Sequence, residues 1–140
     1  MIEKLRDYFL TCPFLEKSSK LGIDYLTDGA VNYSINVEPT NPILKQYADG
    51  SSLKCINFTF QSHEFYSSSE ADNSANLTFY SKLEKWIKEN NNKNILPDLS
   101  GEPGLYGQSI EVLTSGYLLD NDESTGQYMI QLRLIYMEEY

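Results

Sequence analysis

The stretch QYMIQLRLIYM, residues 127–137, indicates the fold more clearly than any other part of the chain. Alternate side chains of a β-strand point to opposite faces of a sheet, so the stretch divides into two sets. The first set is Tyr128, Ile130, Leu132, Leu134 and Tyr136, and the second is Met129, Gln131, Arg133, Ile135 and Met137. Because most residues of both sets are apolar, the stretch predicts either a central strand of a sheet or a strand at a subunit contact.

Other stretches of the sequence predict further strands. Residues Ile110 to Leu119 form a second strong pattern, joined to the first by DNDESTG at 120–126. Upstream, Ile56, Phe58 and Phe60 alternate with polar residues, which is typical of a half-buried strand. Nearer the start, GIDYL at 22–26 and NYSINV at 32–37 predict two more strands. The dipeptide Asp28-Gly29 between them is typical of a hairpin turn and predicts that they are antiparallel.

Two segments have helical periodicity. Apolar residues recur at three- and four-residue spacing from Ile2 to Cys12, which predicts an amphipathic helix ended by Pro13. A second helix is predicted from about Ser74 to Asn90, and we expect its Trp86 to be buried against the sheet. The order is then α-β-β-β-α-β-β. It predicts a single α+β domain over residues 1–140, a mostly antiparallel β-sheet with two main helices packed on one face.

The connection EPTNPILKQYADGSS, residues 38–52, is long for a compact domain. Pro39 and Pro42 each remove a backbone donor and favour extended geometry in the residue before them. Ile43, Leu44 and Tyr47 are spaced for a short helical turn. Long connections of this kind are usually functional or disordered, so the segment is a candidate for a role beyond linking two strands.

The composition excludes several classes of protein. The 140 residues include 20 acidic and 11 basic residues, a net charge of −9, which argues against a surface that neutralises nucleic-acid phosphates. This charge is interpreted either as a means of solubility or as a way to repel DNA that lies nearby. The start of the chain carries charges within Met1–Leu10, and no stretch has membrane-spanning length, so we expect a soluble protein without an export signal. The two cysteines are too few for a disulfide framework and fit a reducing compartment.

No catalytic or metal-binding motif is complete. DNDESTG resembles a calcium loop, but Thr125 stands where glycine is needed and Gln131 where the last glutamate is needed. His63 is the only histidine, which argues against a zinc site and a histidine-activated nucleophile. We therefore expect no enzyme, no metal and no cofactor. A hydrolase with paired carboxylates stays open, because the spacing of Asp and Glu in space cannot be read from the sequence.

Four stretches resemble a family of small proteins from tailed phages and prophages of Gram-positive bacteria. They are LRDYFLTCPFL at 5–15, EPTNPILKQYADGSSLKCINFTFQSHEFYS at 38–67, FYSKLEKWIKENNNKNILPDL at 79–99, and the segment 110–140. The family is described as minor capsid protein and is similar to tail-terminator and tail-completion proteins, and the resemblance covers nearly the whole chain. Some members carry a chloramphenicol-resistance label. The HxxxDG signature of that activity is missing here, since EFYSS follows His63.

The resemblance implies a structural virion protein that forms a ring, commonly of six subunits, which caps the tail tube and later meets the head. Its implied partners are further copies of itself, the tail-tube protein and the head–tail connector proteins, with no specific nucleic-acid binding and no membrane. The implied location is the virion, and the bacterial host cytoplasm during assembly. Two rival functions stay open: a monomeric binding module for a phage or host partner, and a hydrolase.

Two groups of residues are candidates for roles in such a ring. The first is a subunit-interface arm, and its alternative is a loop packed on its own subunit. This arm comprises Pro39, Asn41, Pro42, Ile43, Leu44, Lys45, Tyr47 and Asp49. The second is an acidic tip formed by Asp120, Asp122 and Glu123, placed either at the lumen or rim of a ring or at a solvated hairpin end.

Overall fold

A computed structural model of the protein describes residues 1–15, 21–23, 32–65, 70–121 and 125–139. Two helices and six strands are assigned in these ranges. They are α1 (Ile2–Leu10), β1 (Leu21–Ile23), β2 (Asn32–Glu38), β3 (Ile43–Gln46), β4 (Ser52–Phe65), α2 (Glu70–Asn92), β5 (Leu105–Asn121) and β6 (Thr125–Glu138). The α+β class and the predicted order of elements are confirmed, with β3 as an added short strand inside the 38–52 connection.

The six strands form one mostly antiparallel sheet. Its order is β1-β2-β4-β6-β5, and β3 pairs with β4 beside this path. β6 lies between β4 and β5 and pairs with β4 from Thr125, opposite Phe65, to Glu138, opposite Ser52. The central-strand prediction for residues 127–137 is therefore confirmed.

The strands β1 and β2 are parallel, with Leu21 opposite Tyr33 and Ile23 opposite Ile35. The predicted hairpin between them is therefore wrong, because a tight turn joins antiparallel strands and a parallel pair needs a crossover. Asp28-Gly29, on which that prediction depended, lies outside the described residues. A local turn dipeptide does not fix the direction in which a neighbouring strand runs.

Both helices cover the same face of the sheet. The first set of β6 side chains, including Ile130, Leu132 and Leu134, is buried there with Phe58 and Phe60 of β4. The helices contribute Leu5 and Phe9 from α1, and Leu83 and Ile87 from α2, all fully buried. Full burial of one such side chain contributes about 1.5–3 kcal/mol, so this layer is the main stabilising element of the fold.

Trp86 packs between the helices. Its ring centroid lies 4.9 Å from that of Tyr8 and 6.1 Å from that of Phe9, both on α1. Its side chain is only partly buried. Burial against the sheet was predicted for Trp86, and the structure places α1 beside it instead, because the apolar stripe of α2 is wide enough to contact both layers.

Candidate subunit interface

The 38–52 connection contains β3, a short edge strand that pairs with β4 beyond the end of β2. β2 and β3 lie on the same side of β4, with β2 opposite residues 57–63 and β3 opposite residues 52–54. Between them the backbone N–H of Cys55 donates to the carbonyl oxygen of Pro42 at 2.8 Å. Proline is tolerated at the start of such an edge strand. The predicted helical turn is wrong, since Ile43–Gln46 is strand β3.

A tight turn returns the chain from β3 to β4. The N–H of Tyr47 donates to the carbonyl of Ser51 at 2.9 Å, and the N–H of Gly50 donates to the carbonyl of Tyr47 at 3.1 Å. Gly50 has a φ of 92°, which favours glycine. The Asp49 carboxylate accepts hydrogen bonds from the hydroxyl and the backbone N–H of Ser51, and these hold the pKa of Asp49 below its usual range. The turn thus keeps a negative charge at a defined position.

Several side chains of this segment point into solvent. Ile43, Leu44 and Tyr47 are 41%, 44% and 37% exposed. The Lys45 ammonium lies 5.2 Å from the centroid of the Tyr47 ring. The pairing of β3 with β4 orders the backbone, while the apolar side chains stay accessible. We call Ile43, Leu44, Lys45 and Tyr47 the edge surface; clustered exposed apolar groups of this kind are typical of interaction sites.

The opposite edge of the sheet carries a groove of about 620 Å³ between α2 and β5. Ile87 and Ile110 lie at its base and are buried. Its walls carry both signs of charge together with small polar and apolar groups, which are Glu84, Lys85, Lys88, Ser109, Glu111 and Val112. We call this feature the α2–β5 groove. The groove cannot be predicted from local sequence patterns, because a helix and a strand that are separate in the sequence form it together.

The outer edge of β5 is irregular. Its pairing with β6 shifts register at four places, the first between Gly107 and Ser109 and the last between Leu118 and Asp120. The side chain of Asn91 hydrogen-bonds to the backbone N–H and carbonyl of Ile110, so another strand cannot pair with these groups. Register shifts and blocked backbone groups are features that keep foreign strands from adding to a sheet edge.

The acidic tip is only partly described. Asp120 is exposed, and its carboxylate accepts a hydrogen bond from the backbone N–H of Asn121 at 2.8 Å. Asp122 and Glu123 lie outside the described residues. Asp120 pairs with Gln127, which lies opposite His63 near the end of β4, whereas β3 lies beside the beginning of β4. The structure therefore places Asp120 and strand β3 at opposite ends of the sheet.

The face of the sheet opposite the helices carries hydrogen-bonded polar side chains. Gln127 donates to Gln61 at 2.7 Å, and Gln61 donates to the Thr59 hydroxyl at 3.0 Å. Farther along, Arg133 donates to the Asn57 side chain at 3.0 Å. The alternation of β4 predicted that these residues share a face, but their partners depend on strand register, which the sequence did not show.

In the described part of the chain, no cluster of three or more His, Cys, Asp or Glu side chains could hold a metal ion. Both cysteines are free and buried, and burial raises the pKa of the Cys12 thiol. Across the same residues, none of the helices is long and apolar enough to span a membrane.

No protein-family model matches the chain, and no curated protein matches its sequence.

Proposed function

We propose that this chain is a structural, non-enzymatic assembly protein of a tailed phage or prophage. In this role it is a tail terminator or neck component that forms a homo-oligomeric ring, caps the tail tube and joins it to the head. The observation that carries the self-association is the edge surface, where three apolar side chains are held in solvent by an ordered strand. The place of the ring in the tail rests on the sequence resemblance.

The energetics favour covering this surface. Each Å² of apolar area removed from water contributes about 25 cal/mol, so side chains that are exposed in the monomer provide a driving force for association. The backbone of β3 is already paired with β4, which reduces the ordering cost of binding. The proposed partners are further copies of the chain, the tail-tube protein and the head–tail connector proteins. The proposed location is the virion, and the host cytoplasm during assembly.

The charge of the chain suits a ring through which DNA passes. A net charge of −9 repels phosphates. The acidic tip is the proposed lumen or rim position. Replacement of Asp120, Asp122 and Glu123 by lysine should then slow genome passage or create salt-sensitive DNA retention. Normal DNA release, and no DNA binding at low salt, would leave the solvated-tip interpretation in its place.

Electron microscopy of particles made without this protein tests the proposed role. Negative staining should show overlong tails or tails without heads, and supplying the wild-type chain should restore normal particles. Tails of normal length joined to heads would overturn the terminator role. The same edge surface could instead receive a foreign protein on a monomeric binding module, and a persistently monomeric chain that binds such a protein would support that alternative.

A further inference from the structure

We infer that the edge surface of one copy seats in the α2–β5 groove of the next copy. This inference rests on the proposed self-association and specifies the two surfaces that form it. The occupant of the groove is a second copy of this chain, and the contact joins two different surfaces. Such heterologous contacts generate rings when the rotation closes and filaments when it does not.

The two surfaces lie at neighbouring levels of the sheet. Cys55 donates to Pro42 beside the edge surface, and Cys55 also lies opposite Ile135 of β6. Ile135 lies opposite Ser109, which belongs to the wall of the groove. Because β3 lies opposite residues 52–54 of β4, the edge surface is offset from the groove along the strand direction. A contact between the two surfaces closes into a ring when its rotation closes.

The charges of the two surfaces are complementary. Lys45 is the cation of the edge surface and Glu84 is an anion of the groove, whereas the Glu111 carboxylate lies 3.8 Å from Arg133 on the other face of the sheet. Asp49, in the turn that follows the edge surface, matches Lys85 and Lys88 on the groove wall. Because each copy carries a net charge of −9, copies repel one another at long range, and local pairs of opposite charge can select one orientation.

The apolar parts also correspond. Leu44 and Tyr47 are exposed on the edge surface, and the groove offers Val112 between charged walls. The aliphatic stems of Lys85 and Lys88 can cover apolar groups while their ammonium groups stay in water. The contact therefore combines an apolar centre with a charged rim, which is the usual organisation of a protein interface.

Both edges disfavour direct strand-to-strand pairing. β5 is interrupted by register shifts, and Asn91 blocks the backbone of Ile110. On the other edge, Pro42 precedes β3 and Lys45 lies within it. These features protect sheet edges against backbone pairing, so the contact between copies is made by side chains.

Charge reversal tests the orientation of the contact. Lys45→Glu should weaken self-association about tenfold in sedimentation equilibrium, since it places like charges at the rim. Adding Glu84→Lys should restore most of the loss. Lys93→Glu, at an exposed position after α2 and outside the groove lining, is the matched control for net charge. Equal effects of Lys45→Glu and Lys93→Glu, or no rescue by Glu84→Lys, would overturn the inference.

Cross-linking between single-cysteine additions tests the two surfaces directly. Leu44→Cys and Lys88→Cys are made in separate chains, and wild type serves as the blank because Cys12 and Cys55 are buried. With a short thiol cross-linker, the mixture should give a covalent dimer and each variant alone should not. The chain with both changes should give a series of covalent oligomers, and the largest should contain as many subunits as the ring.

The outcomes separate this inference from the proposed function. Self-cross-linking of Leu44→Cys alone would show a two-fold contact and overturn the inference. A mixture without covalent dimer, in a protein whose mass shows an oligomer, would also overturn it while self-association stands. A monomer at every concentration, with no cross-link, would overturn both.

Discussion

The side-chain amide of Asn91 hydrogen-bonds to both backbone groups of Ile110. Its Nδ2 donates to the carbonyl oxygen of Ile110 at 2.8 Å, and its Oδ1 accepts from the N–H of Ile110 at 3.0 Å. The last turn of α2 thus takes the place of a neighbouring strand at the edge of β5. This pairing fixes the width of the α2–β5 groove and closes one position of the sheet edge.

Replacement of Asn91 by alanine should destabilise the fold. The change leaves the backbone groups of Ile110 without this partner, and we expect a loss of about 1–3 kcal/mol in the free energy of unfolding. Urea denaturation measures it, with the exposed neighbour Asn92→Ala as control. Equal losses in the two variants would show that the Asn91 pairing contributes nothing specific.

Gly116 provides a sharper test of the packing between α2 and β5. A Cβ atom at this position would clash with the Cβ and Cγ of Tyr80. Gly116→Ala should therefore lower the free energy of unfolding by about 1–3 kcal/mol, as is typical of overpacking, or by more. Gly101→Ala is the matched control, because its nearest neighbours are the end atoms of Lys4 at 4.0 Å. Similar melting temperatures for both variants would contradict the close approach of Tyr80 on α2 to Gly116 on β5.

Trp86 should behave as a residue shared by two helices. Since it is partly buried against Tyr8 and Phe9, Trp86→Ala should cost less than the about 3–5 kcal/mol of a fully buried tryptophan. Trp86→Phe, which keeps an aromatic ring, should cost less again. Fluorescence of the native protein should peak between the maxima of buried and exposed tryptophan, and a maximum typical of full water exposure would refute the contact with α1.

Stability should fall at alkaline pH because of Tyr8. Burial raises the pKa of Tyr8 from 10.0 to about 12, although its hydrogen bond from Asn90 acts in the opposite direction. Between these values the unfolded chain loses the proton while the native chain keeps it, so the free energy of unfolding decreases as pH rises from about 10 to about 12. Tyr8→Phe should show a shallower decrease over that range in urea titrations. An identical slope would contradict the burial of the Tyr8 hydroxyl.

The sequence predicted the elements whose apolar pattern coincides with burial. In β6, alternate residues such as Ile130 and Leu132 are apolar because they face the helices, so the pattern and the structure agree. β3 has no such signal: Ile43 and Leu44 are apolar yet exposed, and the partner β4 holds the strand through backbone pairing. The apolar pattern of the sequence therefore predicted the core and gave no information about the edge.

The candidate surfaces depended on contacts between distant residues. The α2–β5 groove lies where Asn91 of α2 contacts Ile110 of β5, and the parallel direction of β1 beside β2 cannot be read from a turn dipeptide. The sequence did identify the 38–52 segment, because its prolines and turn residues mark a break in regular structure. The geometry that makes this segment an edge became visible only when its register against β4 was known.

Native mass spectrometry of the purified chain over a concentration series tests self-association most directly. We predict one closed oligomer with a single subunit number, seen as rings by negative staining, and a shift of its formation to about tenfold higher concentration in the Lys45→Glu variant but not in Lys93→Glu. A protein that stays monomeric at every concentration, with and without tail-tube protein, would contradict it.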